Sequence, residues 1–363
     1  MNKYPLLLKP VFKDYIWGGE KLRREYNKES SLEIIAESWE VSTHPDGLCT
    51  VSGGEMGGKT LSYALAQNRD WMGTSCKNMT TLPILVKFID ACRPLSLQVH
   101  PGDEYAFAKE KQAGKNEMWY IADAQPGAEL ILGFKEELGK KELRGLIENG
   151  KILSAVRRVP VKAGDCYLIP AGLVHAIGEG IVIVEVQQAS NVTYRVYDYG
   201  RVGADGKARE LHVEKALDVI DTGLKAKKVA SAKPAAADKT IAHSAILAHS
   251  AILAHSEILA EWKYFKSDLL VFEGSKECYR GDDSFECIVV ADGELTLTYG
   301  ACTEPPQKES TSPAAPPQNK STHPAPPQKE SVSLFKGDTV FIPADMGHYE
   351  LRTAAAAIIS ITY

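Results

Sequence analysis

The chain has 363 residues, of which 44% are hydrophobic and 25% are charged, so it can bury one large core or two smaller ones. Lysine and arginine total 42 against 47 aspartate and glutamate residues, which gives a net charge of −5. This balance gives no reason to expect a nucleic acid or a membrane surface as a partner, although it is compatible with a local cationic pocket.

The cysteines and the amino terminus indicate the cellular location. The seven cysteines are scattered and include no C-x-x-C pair, which is typical of reduced thiols rather than of a disulfide framework. The apolar run near the amino terminus is too short for a signal peptide, and no stretch is long enough to span a bilayer. The sequence therefore predicts a cytoplasmic protein.

The first third of the chain contains several predicted strands and short helices. Residues 37–42 alternate in polarity as a half-buried strand does, and residues 60–68 have the pattern of a short helix. Residues 82–90 form a nearly continuous apolar strand that is interrupted by the charge of Lys87. Residues 103–112 open with acidic side chains, which suit the amino terminus of a helix.

Four side chains in this sequence suit a metal ion. Gln98 and His100 are two residues apart on a predicted strand, so their side chains point to the same face. Glu117 opens another predicted strand, and His175 follows a Pro/Gly turn at the start of a third. This mixed nitrogen and oxygen set suits zinc or a similar divalent ion. Glu104 is a rival ligand, but it falls in the first turn of a predicted helix, which favours Glu117.

The middle of the chain predicts a β fold with helical additions. Residues 130–134 read as a strand, residues 135–158 as two short helices, and residues 159–193 as further strands. Residues 210–221 read as another helix. Many short strands with Gly/Pro turns, and helices gathered in a few places, are typical of a sandwich or barrel.

Two segments repeat short motifs. Residues 242–259 repeat Ala-His-Ser-Ala-Ile-Leu, and residues 303–331 repeat variants of Pro-Pro-Gln-Lys-Glu-Ser. The second segment has too few apolar residues to offset the entropy of ordering, so we predict a disordered loop that extends a hairpin. The first resembles a duplication with no required structure.

A repeated sequence motif suggests that the chain contains two copies of one structural unit. The pattern Gly164-Asp165-x3-Ile169-Pro170-Ala171-x3-His175 recurs with the same spacing from Gly337 to His348, and its first copy fits the second signature of the cupin superfamily. No counterpart of Gln98-x-His100 precedes the second copy, so we interpret His348 as a structural or surface residue. We therefore predict a mainly β protein with two cupin-type β-barrels (jelly-rolls) and a small helical insertion.

The predicted domain organisation follows from this repeated motif. Residues 1–225 are predicted to form the metal-binding barrel, with the helical insertion near 135–158. Residues 226–260 are predicted to be a linker that contains the first repeats, and residues 261–363 to form a metal-free barrel with the loop 303–331.

The motifs together resemble type I mannose-6-phosphate isomerases of the short bacterial form. The matching stretches span nearly all of the first two-thirds of the chain and are residues 15–19, 37–42, 96–101, 115–120, 169–175 and 193–201. The resemblance implies one zinc ion per chain, held by Gln98, His100, Glu117 and His175.

The resemblance also implies an activity and further site residues. Members of this family interconvert mannose 6-phosphate and fructose 6-phosphate, so the partner would be a small sugar phosphate. Arg195 and Lys115 would be catalytic, and Ser96 and Lys87 would contact substrate. The chemistry moves a proton between C1 and C2 through an enediol, and Lys115, a metal-bound water or a nearby His or Glu could be the base. Oligomeric state is not indicated.

Two other functions fit the same fold. One is a non-catalytic cupin that senses a sugar or a metal, and the other is a metal-dependent oxygenase. Oxygenases usually bind iron with two histidines and one carboxylate. Gln98 in place of a histidine favours a metal that acts as a Lewis acid.

Overall fold

The computed structural model describes residues 2–203, 206–231, 255–300 and 329–363. Within these ranges the chain is built mainly from strands, with five short α-helices and three 3₁₀ helices. The mainly β fold predicted from the sequence is therefore confirmed. Most of the predicted repeats 242–259 and of the predicted loop 303–331 lies outside the described residues.

The strands of the described ranges have the following bounds: β1 (Leu6–Lys9), β2 (Val11–Lys13), β3 (Glu37–Val41), β4 (Thr50–Val51), β5 (Ile84–Ala91), β6 (Leu97–Val99), β7 (Glu117–Ala124), β8 (Glu129–Phe134), β9 (Val156–Pro160), β10 (Asp165–Ile169), β11 (His175–Ile177), β12 (Ile181–Gln188), β13 (Tyr194–Tyr197), β14 (Lys227–Ser231), β15 (His255–Trp262), β16 (Phe265–Arg280), β17 (Glu286–Tyr299), β18 (Glu330–Phe335), β19 (Thr339–Ile342) and β20 (Gly347–Thr362). The α-helices are α1 (Lys21–Glu25), α2 (Leu61–Gln67), α3 (Asp103–Glu110), α4 (Lys140–Glu148) and α5 (Val213–Val219), and the 3₁₀ helices are Arg69–Met72, Thr74–Cys76 and Ile152–Ser154.

Two antiparallel sheets face each other in the first part of the chain. One has seven strands in the order β14-β10-β7-β12-β5-β3-β2, and the other has five in the order β13-β6-β11-β8-β9. Alternate apolar residues of both sheets meet between them, including Trp119 and Ile183 from the first sheet and Leu130, Leu132 and Ile177 from the second. This is the layered arrangement of a jelly-roll. The predicted metal ligands lie between its two layers.

The second part of the chain is organised by three long strands. β20 lies between β16 and β17 and pairs with both, and the registers shift at bulges, one of them next to Gly293. Gly293 has a φ of +82°, and a Cβ there would lie 2.2 Å from the carbonyl oxygen of Ala355. Because a bulge bends a strand, the sheet can curve around its own core of Ile288, Leu297 and Leu351.

The two parts share strands and a core. β1 pairs with β19, and β4 pairs with β1, so the start of the chain completes the carboxyl-terminal sheet. The outer face of the seven-stranded sheet packs on this sheet through a core that includes Phe88, Phe265 and Ile361. A buried ion pair, with Lys28 Nζ 2.7 Å from Glu40 Oε1, lies at the same junction. The predicted boundaries at 225 and 261 stay a prediction, and β14 and β15 occupy the two ends of the predicted linker 226–260.

The helical insertion covers the outer face of the five-stranded sheet. α4 places Leu143 and Ile147, one turn apart, against a core to which Leu217 of α5 also belongs. The predicted helical region 135–158 is shorter than expected, because residues 156–160 form β9 with an alternating burial pattern. None of the helices in the described ranges is long and apolar enough to cross a membrane.

Candidate metal centre and active site

The strand registers bring the predicted ligands together from both layers of the jelly-roll. Gln98 of β6 lies directly opposite His175 of β11 and, on its other side, opposite Arg195 of β13. His100 follows the end of β6. Glu117 begins β7 in the facing sheet, where it pairs with Ile169 and Gln187. The ligand set therefore depends on the contact between two sheets.

Three of these side chains form a compact buried group. One ligand atom from each of His100, Glu117 and His175 lies within 4.8 Å of the others, and all three residues are buried. The two histidine Nε2 atoms are 3.2 Å apart, and they lie 3.4 and 3.8 Å from the Glu117 carboxylate oxygens. The side-chain amide of Gln98 lies 3.4 Å from His175 Nε2. Within the described residues, no other His/Cys/Asp/Glu group of this kind occurs.

Backbone carbonyls fix the orientation of both imidazoles. His100 Nδ1 lies 2.8 Å from the carbonyl oxygen of Val192, and His175 Nδ1 lies 2.9 Å from that of Leu173. Since a carbonyl only accepts hydrogen bonds, each Nδ1 carries the hydrogen and donates it, and each Nε2 presents its lone pair to the group. Burial lowers the pKa of both histidines, that of His175 to about 3, so both are neutral near pH 7.

The charge of Glu117 is held by its neighbours. Burial by itself would raise the pKa of this carboxyl, but the positive charge of Lys115 outweighs burial and keeps the pKa well below its usual range. The Lys115 ammonium contacts Glu117 Oε1 and lies 3.1 Å from His100 Nε2. Within the described chain, Glu117 Oε2 is buried and accepts no hydrogen bond. Such an oxygen, two imidazole lone pairs and an amide fit a divalent cation of the zinc type.

A cavity of about 250 Å³ opens beside Gln98. Three other residues implied by the family resemblance line it, namely Ser96, Lys87 and Arg195. Lys115 contacts two members of the buried group, His100 and Glu117, and its Nζ lies 3.9 Å from Oε1 of Glu185, which lines the cavity. The cavity and the ligand group thus meet at Gln98 and Glu185.

Lys87 lies between two carboxylates that the sequence analysis missed. Its Nζ is 3.4 Å from Glu185 Oε1 and 3.6 Å from Glu37 Oε2, and all three residues are buried. Burial would lower the pKa of Lys87, but the two glutamates outweigh burial and raise it. Trp119 Nε1–H donates to Glu185 Oε2 over 2.9 Å, and Trp39 Nε1–H donates to Glu37 Oε2 over 2.7 Å. A glutamate inside the apolar run 181–187 was the sequence signal for Glu185.

Arg195 lies at the cavity wall with part of its guanidinium unsatisfied. Its Nη1–H donates to the carbonyl oxygen of Glu210 over 2.8 Å, whereas its buried Nε has no hydrogen-bond partner among the described residues. Burial and then the nearby charge of Arg209 lower the pKa of Arg195. Arg209 also lines the cavity, and the sequence analysis did not single it out.

Two residues considered in the sequence lie outside this group. Glu104 is exposed in the first turn of α3, where it complements the helix amino terminus. His348 lies in the second unit with its ring 4.9 Å from that of Tyr279, and it does not join the ligand group of the described residues.

A family model and the curated relatives of this chain point to the same protein family. The model of the phosphomannose isomerase type I catalytic domain matches residues 6–136. The chain is 42% identical over 219 residues to the mannose-6-phosphate isomerase of Streptococcus mutans, covering 60% of this chain and 68% of the relative. It is 43% identical over 222 residues to the mannose-6-phosphate isomerase ManA of Bacillus subtilis, covering 61% and 69% of the two chains.

A solved structure is similar along almost the whole chain. The crystal structure of the mannose 6-phosphate isomerase from Bacillus subtilis matches with a TM-score of 0.77 and 29% identity, covering 98% of this chain and 99% of that one. The likeness therefore includes the carboxyl-terminal unit, where the sequence motifs were weak. These matches confirm the family indicated by the motifs: the chain belongs to the type I phosphomannose isomerase family of enzymes.

Proposed function

We propose that this protein is a zinc-dependent aldose–ketose isomerase that interconverts mannose 6-phosphate and fructose 6-phosphate. The observation that carries the proposal is the buried group of His100, Glu117 and His175 next to a cavity with Arg195 in its wall. The names of the relatives support mannose 6-phosphate as the sugar phosphate. The cytoplasmic location stays a prediction of the sequence.

Gln98, His100, Glu117 and His175 would hold one zinc ion per chain. The two Nε2 lone pairs and the unpartnered Glu117 oxygen are suitable donors, and rotation of the Gln98 amide would present its oxygen. Zinc in this position would supply a Lewis acid that polarises the sugar carbonyl.

The side chains of the protein would move the proton and balance charge. Isomerisation transfers a proton between C1 and C2 through an enediol, which needs a group that can accept and return a proton close to both carbons. We assign this role to Lys115 together with Glu185, whose carboxyl pKa is raised by burial and by Glu117. Arg195 would stabilise the negative charge that develops on the sugar oxygens. Ser96, on the cavity wall, would donate a hydrogen bond to a sugar hydroxyl.

Lys87 has a different proposed role from Ser96, although both line the cavity. The Lys87 ammonium lies next to the carboxylates of Glu37 and Glu185, which neutralise its charge. It would therefore add no net positive charge to a bound substrate. We propose that Lys87 fixes the position of Glu185 beside Lys115 and contacts the substrate only through its remaining hydrogen.

A coupled assay tests this function. Fructose 6-phosphate formation from mannose 6-phosphate is followed before and after dialysis against a chelator, with metal content measured on the same samples. We expect activity in the untreated protein, loss after chelation and recovery with zinc. Isomerisation that persisted in fully metal-free protein would contradict the proposal, and oxygen consumption in its place would support an oxygenase.

A matched pair of histidine variants tests the ligand assignment. His175→Ala should lose its bound zinc, and its turnover should fall at least about 100-fold, because one of the four proposed metal ligands is removed. His348→Ala, at the equivalent position of the second copy of the motif, should keep both its bound zinc and its turnover. Equal behaviour of the two variants would contradict a single metal centre in the first unit.

A further inference from the structure

Three arginines, Arg195, Arg201 and Arg209, surround Asp198 just after β13, and two of them, Arg195 and Arg209, line the cavity. Arg209 Nε–H and Nη2–H donate to the two Asp198 carboxylate oxygens over 2.8 and 2.6 Å. Arg201 also donates to Asp198, and its Nη1–H donates to the carbonyl oxygen of Pro94 over 2.7 Å. Asp198 is only 6% exposed, so it holds both guanidinium groups in place.

The chain that carries Arg209 is attached to the strand that carries Arg195. The His212 amide donates to the carbonyl oxygen of Arg195 over 2.8 Å, and the Arg195 amide lies 3.1 Å from His212 Nδ1. Val202 and Ala208 form a β-bridge just before Arg209. Arg209 therefore has both its backbone and its guanidinium fixed before any ligand binds, which reduces the entropy lost on binding.

The charges in this group do not cancel. Three guanidinium groups face one buried carboxylate, which leaves two uncompensated positive charges. The carboxylate of Glu210, whose charge also acts on Arg195, is 83% exposed, so solvent screens it. In contrast, the Lys87 ammonium elsewhere in the cavity lies between Glu37 and Glu185.

The hydrogen-bond donors left over suit an anion with several oxygens. Asp198 occupies Nε and Nη2 of Arg209, and within the described residues no hydrogen bond engages its Nη1. The Nη2 group of Arg195 is likewise without a partner in the described ranges, and Nη1 of that residue bonds a backbone oxygen. Guanidinium groups bind phosphate through paired, charge-assisted hydrogen bonds, and two net positive charges match a phosphate dianion.

We propose that Arg209, held by Asp198, binds the phosphate group of the substrate and so sets the preference for a phosphorylated sugar. This proposal rests on the proposed function for the identity of the sugar. The sugar would lie with its carbonyl end at Gln98 and its phosphate end at Arg209. Asp198 is a positioning residue, because it acts through the guanidinium it holds.

The test compares Arg209→Met, Arg209→Lys and the control Arg352→Met, which removes a 69% exposed arginine of the second unit. Kinetics with mannose 6-phosphate, inhibition by inorganic phosphate and zinc content are measured for each. Arg209→Met should raise KM and weaken phosphate inhibition by about tenfold to a hundredfold, as expected when a charge-assisted hydrogen bond is lost. Its kcat should stay within about threefold.

The remaining variants show whether charge or geometry matters. Arg209→Lys should recover part of the loss, because it keeps the charge and loses the planar fork. Asp198→Asn should raise KM less than Arg209→Met while kcat is kept. Arg352→Met should behave as the unchanged protein. An Arg209→Met enzyme with unaltered KM and phosphate inhibition, or with a reduced kcat alone, would overturn the proposal.

A readout without catalysis separates this proposal from the proposed function. Inorganic phosphate should raise the melting temperature of the zinc-loaded protein, and this shift should be lost in Arg209→Met and kept in Arg352→Met. Protein that binds phosphate through Arg209 but does not isomerise mannose 6-phosphate would refute the proposed function alone. Phosphate that gave no shift in the unchanged protein would refute the anion site.

Discussion

Replacement of Lys87 by methionine tests how the buried charges of the active site are balanced. Methionine keeps the approximate length of the side chain and its apolar contact with the Trp39 ring, which lies 4.9 Å from the lysine Nζ. It removes the ammonium that lies 3.4 Å from Glu185 and 3.6 Å from Glu37. Two buried carboxylates then face each other without a cation between them.

The size of the effect follows from what the carboxylates can do. Removal of one partner from a buried ion pair costs about 3–5 kcal/mol. Glu185 can lose its buried negative charge by taking up a proton. For a carboxyl with the ordinary pKa of 4.5, this protonation costs about 3 kcal/mol at pH 7, which limits the destabilisation. We therefore expect Lys87→Met to lower the free energy of unfolding by about 3 kcal/mol at pH 7.

The proton uptake gives this prediction a pH signature. In the variant, the folded-state pKa of the buried carboxyl lies above the unfolded-state pKa of 4.5, so the folded state binds the proton more tightly. The stability deficit should therefore shrink as the pH falls from 7 towards 5, by up to about 1.4 kcal/mol per pH unit.

Urea unfolding at pH 7 and pH 5.5 measures both effects. Lys140→Met is the matched control, because Lys140 pairs with Asp218 over 3.3 Å at the surface with both side chains more than half exposed. It should leave the free energy of unfolding nearly unchanged, because exposed ion pairs contribute little. The double variant Lys87→Met/Glu185→Gln should recover part of the loss. A deficit below about 1 kcal/mol, or one independent of pH, would refute the reasoning.

Two further predictions concern pH and the repeat segment. Burial raises the pKa of Asp90 from 3.8 to about 6, so the folded state favours the protonated form, and the stability this contributes below pH 3.8 is lost as the pH rises to 6. Asp90→Asn should flatten this part of the pH–stability curve by up to about 3 kcal/mol, and a curve of unchanged shape would contradict the cause. Deletion of residues 301–328 would leave Gly300 and Lys329 as a two-residue loop between the paired residues Tyr299 and Glu330. Because a Gly-x loop suits a tight hairpin, activity and melting temperature should stay unchanged, and a large loss of activity would give the segment a role.

The sequence determined the parts of this protein that depend on local rules. Side chains alternate along a strand, so Gln98 and His100 had to share a face, whatever the rest of the chain did. The helical position of Glu104 likewise directed attention to Glu117. Turn residues and spacing also showed that the pattern ending at His175 recurs at His348. These inferences needed only a few consecutive residues.

Only the tertiary structure decided which distant charges meet. Lys87 and Glu185 are almost 100 positions apart in the sequence and become direct neighbours because β5 pairs with β12 in one register. β1 joins the carboxyl-terminal sheet for the same kind of reason. Arg209 reaches the cavity because its segment bonds to β13 and because Asp198 orients its guanidinium. Strand register and the pairing of buried charges are set by packing over the whole core, and no local pattern encodes them.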